Sequence, residues 1–194
     1  MEIGATKAVQ DRLKTTKIEE SKGASLVFCW DTHLTKIKGR NVLFIVNASN
    51  RYTIAMTDIE PRNWNYYTMY IRSVIHGVMQ EMGYSEDQIG QYFKMSGDTT
   101  VTKTHGRKSV GGINRMVMDA QYFGKKLEKE AKYQWELSEY LNRDICQPEG
   151  FDAYVYPSEL FKLDMERLGI AAKREPAKVI DFAQYIENNR GTND

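Results

Sequence analysis

The hydrophobic period of this chain changes at Pro61, and that change constrains the fold more than any other feature. Before it, Leu26–Trp30, His33–Ile37, Asn41–Asn47 and Tyr52–Thr57 are short runs rich in Val, Ile, Phe and Tyr, separated by KGRN and NASNR. Gly39 and the pair Asn47/Asn50 suit turns, since Gly and Asn tolerate positive φ. The segment predicts a meander of antiparallel strands. After Pro61, Trp64, Tyr67, Ile71, Val74, Val78 and Met82 recur at steps of three and four, which predicts an amphipathic helix ending at Gly83. Ser85 and Gln88 have the spacing of a capping box and predict a second helix carrying Ile89, Tyr92 and Phe93, stopped by Gly97.

The rest follows the same logic. MEIGA predicts an opening strand, and TKAVQDRLK a short helix with Thr6 as N-cap and Val9 and Leu13 on one side. TTVTKT reads as a strand. A long helix is predicted from about Gly112, with a break near Gly124, and Ser158 is placed to cap a helix after Pro157. PAKVIDFAQYIENN predicts a last helix that frays after Asn188. The expected fold is therefore α+β, an antiparallel β meander packed against several α-helices. Residues 1–168 are expected to form one domain and 169–194 a C-terminal helical extension.

Composition narrows the class. Apolar residues at 41% and charged residues at 27% are those of a globular chain, and no apolar run is long enough to span a bilayer. A non-membrane, cytoplasmic protein is expected. Cys29 and Cys146 lack CxxC spacing, so neither a disulfide framework nor a zinc knuckle is predicted, and Cys29 reads as a small buried hydrophobe. A net charge of +1 decides nothing, but the distribution is uneven. Acids are absent from Thr32 to Thr57 and again from Thr99 to Met118, where Lys36, Lys38, Arg40, Arg51, Lys103, Arg107, Lys108 and Arg115 stand. These two stretches can make a basic face, or can simply be strand-rich.

The first candidate site is the junction VTKTHGRKSVGGINRM. A strand, a Gly-Gly pair and a helix start would bring unpaired N–H groups and the positive end of a helix to one point, where anions bind. Arg107 offers a fork for phosphate and Lys108 a point charge, Ser109 a cap or contact, with Gly111, Gly112 and Asn114 beside them. Lys36, Lys38 and Arg40 would add field, and Trp30 and His33 complete the candidate ligand-contact set. No nucleotide fingerprint is satisfied. The bland alternative is that the glycines serve strand–helix packing and Ser109 only caps.

Catalysis finds thinner support. Asp31 and His33 share one face of a strand with Trp30 on the other, but only His76 and His105 remain as further imidazoles, with no metal-ligand spacing. No catalytic residue, metal or cofactor is expected from this pattern. Asp31, His33 and Asp58 could at most centre a metal-dependent hydrolase. The aromatic stretch NWNYYTMY at Asn63–Tyr70 exceeds what one helix face buries, which admits base stacking or a protein partner, with core packing as the bland alternative.

Two segments also carry a family resemblance. FCWDTHLTKIKGRNVLFIVNASNRYTIAM resembles the signature of a bacterial and phage domain of unknown function, family 6933. TKTHGRKSVGGINRMVMDA is similar to its second signature, a threonine followed by Arg-Ser-hydrophobic-Gly, here interrupted by Lys108. The tail YVYPSELF is similar to a segment near the end of such domains. Together they cover about Met1 to Leu168. The resemblance implies a compact α+β domain in a phage or mobile-element context, and supplies no activity. The expectation is a non-enzymatic protein that binds an anionic ligand, nucleic acid or nucleotide. The alternatives are a protein-interaction module (inhibitor, antitoxin or anti-defence factor) or a hydrolase.

Overall fold

The computed structural model describes residues 1–15 and 18–173 of the 194. Strand β1 (Glu2–Ala5) leads through helix α1 (Lys7–Leu13) and a 3-10 turn (Leu26–Phe28) to β2 (Cys29–Ile37), β3 (Arg40–Asn47) and β4 (Thr53–Thr57). Helices α2 (Pro61–Asn65), α3 (Tyr67–Glu81) and α4 (Glu86–Ser96) precede β5 (Thr100–Thr102). Helices α5 (Gly106–Tyr122), α6 (Trp135–Asn142) and α7 (Pro157–Arg167) follow. The fold is α+β. The five strands form one sheet in the order β4-β3-β2-β1-β5.

The expected meander is there: β2 pairs antiparallel with β3, and β3 with β4. Its first hairpin turns on Lys38 (φ 48°) and Gly39 (φ 82°), with Ile37 opposite Arg40. Two central residues at positive φ match the right-handed twist of the flanking strands. The sheet as a whole is mixed, because β1 runs parallel to both β2 and β5. Parallel neighbours are joined through helices, so no local sequence pattern announces them.

Alternation along the strands divides the core in two. On one face Ile3, Trp30, Leu43, Ile45, Ile54 and Met56 meet Val9 of α1, Ile71, Ile75 and Met79 of α3, Tyr92 of α4 and Phe161 of α7. On the other, Ile37, Val42, Phe44, Val46 and Ala55 meet Ile113, Met116 and Ala120 of α5 and Leu137 and Leu141 of α6. Glu2, Gly4, Cys29 and Asp31 belong by parity to the α5 face, yet none joins its apolar cluster. That end of the face is polar.

Several element boundaries differ from expectation. Leu26–Trp30 and His33–Ile37 are not two strands, since a 3-10 turn runs straight into the single strand β2. The capping box forms as predicted, with Ser85 accepting from the Gln88 amide at 3.3 Å and Gln88 from that of Ser85 at 2.9 Å. Ser158 does not cap α7; Pro157 starts that helix after Tyr156. Helix α5 begins at Gly106, not near Gly112, and ends at Tyr122. Two internal glycines weaken a helix by about 1 kcal/mol each, but the tertiary contacts described below outweigh that local preference. The predicted last helix lies outside the described residues. Of the expected extension, Ile170 is buried against the main core, so the boundary at 168 is not a boundary of packing.

Candidate functional site

The chain leaves β5 and turns into α5 through Gly106, at φ 88°, a left-handed conformation that glycine adopts without strain. His105, just before it, points inward between two carboxylates. Its Nδ1–H donates to Asp31 Oδ1 at 2.7 Å and its Nε2–H to Glu2 Oε2 at 3.0 Å. Its backbone N–H also points at Asp31, at 3.2 Å. Ser109, one turn into the helix, donates its hydroxyl to Asp31 Oδ2. Glu2 Oε1 accepts from the Lys22 amide at 2.8 Å. The side chains of His105, Asp31 and Glu2 are 2%, 0% and 5% exposed. The network ties β1, β2, the β5–α5 junction and the loop at Lys22 into one buried polar unit.

Burial alone would lower the pKa of His105, but hydrogen bonds to Asp31 and Cys29 and the Asp31 charge reverse this and raise it to about 10. For Glu2 burial works upward, and its hydrogen bonds with Ser21, Lys22 and His105 prevail and hold the carboxyl below its usual range. The centre is thus an imidazolium between two carboxylates. Gly4 makes room for it. A Cβ there would overlap the Asp31 carboxylate and lie 3.0 Å from the Thr104 Cα.

This geometry changes the role of the junction. The anion beside the start of α5 is Asp31, supplied by the protein itself, and Ser109 is spent on it instead of facing outward. Gly111 and Gly112 lie inside the helix, so their amides do not form the free N–H cradle that the motif suggested. Gly112 is buried, and its carbonyl accepts from Arg51 Nη2 at 2.6 Å. Trp30 is 1% exposed and sits on the opposite face of the sheet, donating to the Tyr92 hydroxyl at 2.9 Å. The structure thus separates it from the junction and places it in the main core. His33 is half-buried beside Thr6 Oγ1 at 3.2 Å, and Arg40 is paired with Asp58. Asp31, His33 and Asp58, the imagined hydrolase centre, therefore each have a different partner.

What remains exposed is ordered. On α5, Arg107, Gly111, Asn114, Met118 and Gln121 follow steps of four, three, four and three and make one solvent-facing stripe, with Lys108, Arg115 and Tyr122 along its edge. The helix contains one acid, Asp119, which accepts from Arg115 at 3.2 Å. Arg107 and Asn114 have no side-chain hydrogen bond or ion pair among the described residues. Lys108 donates to the Pro148 carbonyl. At the far end Gln121 donates to the Lys36 carbonyl at 3.0 Å, and Lys38 to the Lys125 carbonyl at 2.7 Å while lying over the Phe123 ring. The β2–β3 hairpin, from the first acid-poor stretch, thus meets the C-terminal end of α5. Of the aromatic stretch, Tyr67 enters the core and stacks with Trp64, while Tyr66 stays exposed.

In the sequence His105 is only an unplaced imidazole. Glu2 and Cys29 become its neighbours through the parallel register that sets Glu2 opposite Cys29. No helix among the described residues is long and apolar enough to cross a membrane. No curated protein and no solved structure matches the chain. A family model does, over residues 2–160, a span containing both signature segments, the buried network and all of α5. The chain belongs to the family described as a domain of unknown function, DUF6933.

Proposed function

We propose that this protein is a non-enzymatic binding protein for nucleic acid, and that the exposed face of α5 is its contact surface. One observation carries the reading. The stripe combines Arg107, Asn114 and Gln121, side chains that read base edges and phosphates, around a glycine that internal packing does not require. A Cβ on Gly111 would meet nothing within 4 Å, so no neighbour excludes a larger residue. An exposed helical glycine costs stability without internal gain, and close approach of another backbone is a use for it. The 17-residue helix is about 25 Å long, which suits an extended polymer better than a single nucleotide. Lys108, Lys36 and Lys38 supply positive field at its two ends. This suits a phage or mobile-element setting, which the family resemblance implies.

The test is fluorescence anisotropy with labelled duplex and single-stranded oligonucleotides across a salt series. Affinity should fall steeply with salt, and Arg107→Ala with Lys108→Ala should each flatten the log–log slope by about 1. Asn114→Ala should weaken binding without changing that slope. Absence of binding at low salt, or affinity indifferent to all three changes, would overturn the reading. Saturable nucleotide binding with little salt dependence would shift it to a nucleotide site. A protein partner is the second reading, favoured by Tyr122, 79% exposed beside Met118 on the same helix. A defined partner lost with Tyr122→Ala but kept with Arg107→Ala would select it.

A further inference from the structure

We infer that Glu2, Cys29 and His105 form a binding site for a borderline-soft divalent metal ion such as Zn2+, with Asp31 orienting the histidine. One ligand atom from each, a carboxylate oxygen, the thiol sulfur and an imidazole nitrogen, lies within 4.8 Å of the other two, and all three residues are buried. Tetrahedral zinc with Zn–S near 2.3 Å and Zn–N and Zn–O near 2.0–2.2 Å separates its ligand atoms by about 3.3–3.6 Å. The Glu2–His105 contact of 3.0 Å has only to open slightly, within the freedom of a glutamate side chain.

Three features distinguish this from a buried ion network alone. The first is sulfur. Cys29 has no exposed surface, as its apolar sequence surroundings suggest, and it lies outside both apolar clusters, at the polar end of the α5 face. It stands directly opposite Glu2 in the parallel β1–β2 register, on the same face of the sheet. The second is the orientation of His105. Its Nδ1–H is committed to Asp31 at 2.7 Å, which turns Nε2 toward Glu2, the arrangement by which a carboxylate fixes the tautomer of a metal-binding imidazole. The third is the support of Glu2, whose Oε1 is held by the Lys22 amide while Oε2 faces the imidazole. The Cys29 thiol lies 3.4 Å from the Ser25 carbonyl and donates to it.

Ligation takes the thiolate and the neutral imidazole, so binding is linked to proton release. Glutamate, thiolate and neutral imidazole supply three ligands, leaving one position for water. Burial of all three favours a structural tie among β1, β2 and the start of α5.

The full chain should be treated with chelator, unfolded and refolded with Co2+, so that burial does not limit entry, then desalted. The expected result is one Co2+ retained per chain, with a thiolate-to-cobalt charge-transfer band that Zn2+ abolishes by displacement. Cys146→Ser should leave the band unchanged and Cys29→Ser should remove it. Asp31→Asn should retain the band but weaken affinity by about 10–100-fold. No retained Co2+ in the refolded Cys146→Ser protein, or retention without a thiolate band, would overturn the inference. Those two outcomes decide it even if Cys29→Ser fails to fold.

Discussion

The adjacent glycines of α5 provide an internal comparison, because the same substitution should have opposite effects at neighbouring positions. Gly111→Ala adds a methyl group where nothing lies within 4 Å. Alanine is favoured over glycine inside a helix by about 1 kcal/mol, so the variant should be more stable by that amount. For a chain of this length that raises the melting temperature by about 2–4 °C. Gly112→Ala gains the same helical term but places its Cβ 2.8 Å from Arg51 Cζ and 2.9 Å from Nε. The guanidinium must withdraw, which disrupts its hydrogen bond to the Gly112 carbonyl, a charge-assisted contact worth about 1.5–3 kcal/mol. The net effect is a loss of about 1 kcal/mol, and the two variants should differ by about 2 kcal/mol in urea unfolding. The same samples then test function. If backbone approach at Gly111 is used in binding, the more stable variant should bind duplex oligonucleotide about tenfold more weakly, near 1.4 kcal/mol. Equal stability of the two variants would refute the packing argument, and unchanged affinity of Gly111→Ala would remove that glycine from the contact surface.

Two further outcomes follow from the buried side of the helix and its surroundings. Gly4→Ala should destabilise by about 3 kcal/mol or more, since its Cβ meets both the Asp31 carboxylate and the Thr104 backbone in a strand paired on both sides; normal stability by urea unfolding would show that the polar unit can relax. Burial lowers the pKa of His33, so the folded state disfavours its protonation, and the stability this reflects is present above the unfolded value of 6.5 and lost as pH falls through the depressed folded value. The drop in urea midpoint between neutral and mildly acid pH should therefore shrink in His33→Gln, and an unaltered drop would contradict the sign.

How much of this was legible in the sequence depends on the range of the interactions involved. The β2–β3–β4 meander and the α4 capping box rest on turns and contacts between near neighbours, so KGRN and SEDQ carried them. The start of α5 does not rest on neighbours. Read locally, SVGG argues against a helix; what holds it there is Ser109 and His105 on Asp31, and Arg51 on Gly112, at sequence separations of 78, 74 and 61. The same limit misplaced Trp30, because a pattern of alternation shows that it opposes Asp31 but not which side is covered by four helices.

The site was obscured for a related reason. A metal-ligand or catalytic motif is visible when its residues share a helix or loop, whereas Glu2, Cys29 and His105 come from three segments joined only by the parallel pairing of β1 with β2 and β5. The consequence is mechanical as well as chemical. The carboxylate that would have competed with an external anion for the start of α5 is the one that anchors this helix to the sheet, and anchoring turns Ser109 and Gly112 inward. Arg107, Asn114 and Gln121 are left on the outer stripe. The basic junction thus divides by helical phase, with one face held by the buried network and the other facing solvent.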